Sequence, residues 1–144
     1  MKGLLKKFRE NKKGFTLAEL LVVVAIVAIL VAISVPIFTA QLSKAQKATN
    51  QANMRAAKVA AVAQYMTSEA EKTGEPVIYK YNLDDGTVTI SKTDPTVATN
   101  GYLPEAISDA KGDGKYTDIM VIVKAADGSD DNDTSRVEIY VKKK

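Results

Sequence analysis

Residues 20–33 are 14 apolar positions in a row, and the apolar character extends over residues 15–38 with Thr16, Glu19 and Ser34 as its polar interruptions. As a helix, residues 15–38 measure roughly 36 Å, against a hydrocarbon thickness of about 30 Å. The pattern predicts a membrane-spanning helix. Thr16 and Ser34 can bond back to helix carbonyls at little cost. Pro36 removes one amide donor, so a bend or an opened turn is expected over residues 32–36. Glu19 is harder to place, because a carboxylate in hydrocarbon costs several kcal/mol unless a partner offsets it.

Beyond Phe38 the period stays helical. Residues 39–72 contain neither Gly nor Pro, and Leu42, Ala45, Ala48 or Thr49, Ala52, Ala56, Val59 or Ala60 and Ala63 recur at spacings of three or four. Lys44, Lys47, Arg55 and Lys58 fall mainly elsewhere, which predicts one narrow, alanine-rich apolar face. Gly74, followed by Glu75 and Pro76, is the expected stop. A single helix over residues 15–73 would run roughly 90 Å, more than a domain built from the 71 residues that follow could cover. Its second half can pack on that domain. Its first half needs lipid or copies of itself.

After Pro76 an extended pattern takes over. VIYKYNL (77–83) and TVTIS (87–91) flank the turn Asp84-Asp85-Gly86 as a hairpin. A connector over residues 92–116 holds Pro95, Gly101, Pro104, Gly112 and Gly114, with a short helical turn expected near residues 105–110. DIMVIVKA and RVEIYVKKK then flank DGSDDNDTS as a second hairpin. The fold class this predicts is α+β: a long helix, half transmembrane and half amphipathic, packed against an antiparallel sheet of about four strands. The regions read as a basic segment at 1–14, a membrane helix at 15–38, its amphipathic continuation at 39–73 and a β-sheet domain at 74–144.

Charge sharpens the picture. Of the net +3, residues 1–14 hold six Lys/Arg against one Glu, and residues 15–144 hold 14 against 16 Asp/Glu. The basic start reads as an orientation signal, cytoplasmic leader and carboxyl-terminal domain outside. Nucleic-acid binding has no other support. Cysteine and histidine are absent, which excludes disulfides, Cys/His metal sites and thiol or imidazole catalysis. A small-residue cleavage site after the apolar run is not convincing, which argues against an ordinary secretory leader; an uncut membrane anchor with an extracellular binding domain stays open.

Asp127, Ser129, Asp131 and Asp133, with Glu138 as twelfth residue from Asp127, are candidate calcium ligands. The sixth position of that loop is Asn132 rather than Gly, and Glu138 falls in an expected strand, so a solvated hairpin loop is the competing reading. No other cofactor is indicated. The remaining carboxylates sit in expected turns and define no catalytic pair, so an enzyme is not expected.

Gly14, Phe15, Thr16, Leu17, Glu19 and the run ending in Val35, Pro36, Ile37 and Phe38 resemble a type IV prepilin or type II pseudopilin. The resemblance implies that a prepilin peptidase and N-methyltransferase cuts between Gly14 and Phe15, removing leader 1–14, and methylates the new amine of Phe15. Glu19 then stands fifth in the mature chain. It is expected to pair with the Phe15 amine, within the subunit at i,i+4 or on a neighbour, where the pairing would set register in a helical homo-oligomer. Pro36 is expected to loosen the helix on assembly. An assembly platform protein and, indirectly, its ATPase would supply the work, since no nucleotide-binding loop is present. The precursor is expected in the cytoplasmic (inner) membrane and the product in a surface filament serving adhesion, motility or biofilm formation. Many Gram-negative major pilins carry a disulfide that this chain lacks, which leans toward a Gram-positive source or a pseudopilin. A major pilin is the leading expectation; a pseudopilin of type II secretion or competence, or a minor pilin, is the alternative.

Overall fold

The computed structural model describes residues 14, 16–68, 75–125 and 137–144. Helix α1 spans Leu17–Met66. It is unbroken through Pro36, so the opened turn expected at residues 32–36 is not present. Two hydroxyls, one on either side of Pro36, bond back to helix carbonyls: Ser34 Oγ donates to the Leu30 carbonyl at 2.7 Å and Thr39 Oγ1 to the Pro36 carbonyl at 3.0 Å.

The helix also ends well before the expected stop at Gly74. Thr67 Oγ1 donates to the carbonyls of Ala63 and Gln64, and Ser68 donates to the Tyr65 carbonyl through both its amide and its hydroxyl. These local bonds take up the terminal carbonyls and let the chain leave the helix at Met66.

The chain divides into two compact units, Met1–Ala40 and Gln41–Lys144. In the first, every described residue is exposed, including the whole apolar run. The second contains the core. Its strands are β1 (Val77–Tyr81), β2 (Val88–Ile90), β3 (Leu103–Pro104), β4 (Tyr116–Val123) and β5 (Val137–Lys143). They form one antiparallel sheet in the order β2-β1-β4-β5-β3. Both expected hairpin pairings are present. The fifth strand was not anticipated, because it is two residues long and ends in a proline with no amide to donate, which confines it to an edge. Short 3-10 turns occupy Ala98–Asn100 and Ile107–Asp109; the second answers the helical turn expected near residues 105–110.

Register explains the core. Val77, Val123 and Val137 lie side by side, as do Tyr79, Val121 and Ile139, and Tyr81, Ile119 and Val141. These three rows share one face and pack with Met54, Ala57, Ala61 and Tyr65 of α1. On the other face Met120 and Ile122 are also buried. Strand β4 is therefore covered on both sides, which is why its sequence reads as a continuous apolar run rather than an alternation.

The face of α1 used for this packing differs from the expected one. Its buried row is Asn50, Met54, Ala57, Ala61 and Tyr65, whereas Leu42, Ala45, Ala52, Ala56, Val59 and Ala63 are exposed or, like Ala60, only half-buried beside the core. Met54 and Tyr65 remove more surface from water than alanines can, and Asn50 is admitted because its polar atoms are bonded.

Candidate functional site

The site is the start of α1. Thr16 precedes the first helical residue and Glu19 sits in the first turn. The Glu19 amide donates to Thr16 Oγ1 at 3.2 Å, and Glu19 Oε2 accepts the Thr16 amide at 3.0 Å. This is a reciprocal capping box, in which two amides that have no intrahelical acceptor satisfy each other's residues. In lipid an unsatisfied amide costs several kcal/mol, so the box suits a helix that begins at or inside a membrane. The carboxylate also stands at the positive end of the helix dipole.

Glu19 thus has a partner that the sequence reading did not give it. By hydropathy alone Thr16 is a tolerated interruption of the apolar run. The spacing Thr16-x-x-Glu19 ahead of an apolar run was the signal that could have shown its role. Gly14 is exposed, and a Cβ built there would meet no heavy atom within 4 Å. Phe15, expected as cleavage partner, methylation site and Glu19 partner, lies outside the described residues. Pro36 sits inside continuous helix.

The large apolar residues from Leu17 to Phe38 keep between 52% and 76% of their surface exposed. The helix is long and apolar enough to cross a membrane. Among the described residues nothing buries this segment, so its apolar surface is available to lipid or to other chains.

Of the calcium candidates, Glu138 alone is among the described residues. Asp127, Ser129, Asp131 and Asp133 lie outside the described residues. Glu138 spends its oxygens elsewhere: Oε1 accepts Lys124 Nζ and Oε2 accepts the Tyr140 hydroxyl at 3.0 Å. The Lys124 ammonium holds the Glu138 carboxyl below its usual range, against a smaller opposing effect of burial. Among the described residues no three Asp or Glu converge on a point that could hold a metal.

A different cluster, also missed in sequence, ties the loop before β4 to α1. Asn50 Nδ2 donates to the carbonyls of Lys111 and Gly114, and Gly112 packs against Ser43. Nothing in the loop's composition marks Asn50 as its mate; only the fold supplies the pairing.

A long helix with an exposed apolar first half, capped by a Thr–Glu box, and a small antiparallel sheet packed on its later turns are consistent with the α+β type IV pilin fold. Residues 9–35 match the family described as the prokaryotic N-terminal methylation motif. That motif over residues 9–35, together with the fold, supports the resemblance to type IV prepilins and pseudopilins. Neither a curated protein nor a solved structure matches the chain.

Proposed function

We propose that this chain is the major structural subunit of a type IV pilus, polymerising through α1 into a surface filament. The observation that carries the reading is the exposure of every described residue over 16–45, next to a methylation motif at residues 9–35. A surface this apolar is stable in lipid or in a bundle of copies, and a filament gives the second after the first. Cleavage after Gly14 would free an amine on Phe15, one residue from the amide that Glu19 already caps. That amine offers the Glu19 carboxylate a charged partner, within the subunit or on its neighbour, and so a fixed register. Pro36 has no amide to donate and so leaves the Ala32 carbonyl without its helical donor, which is where an extracted helix would open most cheaply. The platform protein and its ATPase would drive extraction, with the peptidase and methyltransferase acting first. The fibre would serve adhesion, motility or biofilm formation.

The test is to shear cells, image the fraction by electron microscopy and take intact masses of the same material. Long fibres built of a chain that begins at methylated Phe15 are expected. A processed chain confined to membranes would make this a pseudopilin or minor pilin instead, and an uncut chain would end the filament reading.

A further inference from the structure

Residues 41–66 of α1 carry Lys44, Lys47, Arg55 and Lys58 and no carboxylate. At about 100° per residue these four cations fall within an arc of about 80° on one flank of the helix. All four are exposed, and among the described residues none of them makes an ion pair. Next to them, on the side away from the sheet, lies the apolar face of Ala52, Ala56, Val59 and Ala63; Val59 keeps 69% of its surface exposed.

The rest of the same unit has the opposite balance. Residues 75–144 hold 13 Asp/Glu against nine Lys/Arg. Three of the cations are taken by Asp118, Glu138 and Asp113. Asp84 and Asp85, adjacent and exposed in the β1–β2 turn, have no cationic partner among the described residues. The turn is well built: the Asn82 side chain accepts the Asp84 amide, the Asn82 carbonyl accepts the Gly86 amide, and Gly86 takes the positive φ of 73° that closes it. One chain thus displays a cationic, apolar-edged helix flank and, elsewhere, an anionic turn that matches it in charge.

We propose that the Lys44–Lys47–Arg55–Lys58 flank of α1, with its apolar edge, seats a second copy of this chain through that copy's Asp84-Asp85 turn. The apolar edge supplies contact area and the charges select orientation, because a like-charged flank cannot be placed there. This contact is additional to the helix bundle of residues 15–38 and to the Glu19 pairing. It rests on the filament reading above, and it makes the sheet domain a determinant of how subunits are spaced.

Charge exchange tests it. Cells that assemble the chain would carry Arg55→Glu with Lys58→Glu, Asp84→Lys with Asp85→Lys, or all four substitutions. Sheared filament is measured against membrane-bound chain by immunoblot. Each pair alone should lower filament yield by roughly tenfold, and the fourfold variant should restore it, because in a homopolymer the exchanged charges face each other again. Wild-type yield from R55E/K58E overturns the seat. A loss that the fourfold variant does not restore overturns the turn as its mate. Since the chain has no cysteine, Arg55→Cys with Asp84→Cys gives an independent reading. Oxidised filaments should run as disulfide-linked multimers, and intact filaments without multimers overturn the contact. If the wild-type chain forms no filament in these cells, the filament reading itself fails; filaments at full yield from every variant refute only the seat.

Discussion

The side-chain amide of Asn50 donates to the Gly114 carbonyl at 2.8 Å and to the Lys111 carbonyl at 2.9 Å, joining α1 to a loop more than 60 positions away. Asn50 is fully buried, and its Oδ1 accepts Gln46 Nε2 at 3.1 Å. Replacing it with alanine leaves two carbonyls without their donor in a site that water reaches poorly. Asn50→Ala should therefore cost about 2–3 kcal/mol, at the upper end for a lost buried hydrogen-bonding group. Asn50→Asp should cost more, since it sets a carboxylate against two carbonyl oxygens. Denaturant melts of the full chain in detergent, followed by circular dichroism, would measure both. A loss for Asn50→Ala well below about 1 kcal/mol would mean that solvent replaces the amide.

Gly112 has a steric role in the same clamp. A Cβ at this position would overlap the backbone carbonyl of Ser43. The neighbour is main chain inside a helix and cannot turn aside as a flexible side chain could. Gly112→Ala should push the loop off α1 and cost about 1–3 kcal/mol, the usual range for overpacking. Gly114, with open space at its Cβ position, should tolerate alanine far better. The pair of melts is the check: equal effects from the two substitutions would refute the clamp geometry.

Tyr116 gives the domain an alkaline limit. Its side chain is fully buried, and burial is the main reason its hydroxyl is pushed from 10.0 up to about 12, with the Lys111 amide opposing and Glu105 assisting. Folding therefore favours the neutral phenol. Below pH 10 the tyrosine is neutral in both states and costs nothing. Between pH 10 and 12 the unfolded chain ionises first, and stability falls by roughly 1.4 kcal/mol per pH unit. Tyr79, Tyr102 and Tyr140 are shifted in the same direction. Tyr116→Phe should lose about 1 kcal/mol at pH 7 with the amide bond, yet unfold at a higher pH than wild type. Phenolate absorbance against pH would show it, and an unchanged alkaline midpoint would contradict the assignment.

Much of this was legible in the residues, and the failures have physical causes. The run over residues 20–33, the hairpin around Asp84-Asp85-Gly86 and the pairing of the two carboxyl-terminal segments follow from period and turn chemistry, and the structure carries all of them. The stop at Met66 was missed because Thr67 and Ser68 compete for backbone carbonyls, an effect hidden in a sequence free of Gly and Pro. The packing face of α1 was missed because alanine periodicity is a weak signal beside Met54 and Tyr65, and because Asn50 counts as polar until its acceptors are known. Those acceptors lie on a loop that only tertiary structure brings near. At the start of α1, Glu19 stands out in the sequence as a carboxylate beside an apolar run, but its bond to the Thr16 amide needed the geometry.

That bond separates two roles for Glu19 that a deletion would confuse. Glu19→Ala removes both the cap and the charge. Glu19→Gln keeps an oxygen able to accept the Thr16 amide, so the capping box and the helix start survive, but it offers no charge to an amine. If pairing with the Phe15 amine sets register, Glu19→Gln should insert into membrane as wild type does and still yield roughly tenfold less filament, close to Glu19→Ala. If the cap were the whole contribution, Glu19→Gln would assemble normally and Thr16→Val, which loses the hydroxyl acceptor for about 1 kcal/mol, would be the damaging change. Sheared filament yield, normalised to membrane-bound chain for all three variants, distinguishes the two. A Glu19→Gln chain that assembles at wild-type level removes the charge from the mechanism and leaves Glu19 as a helix cap.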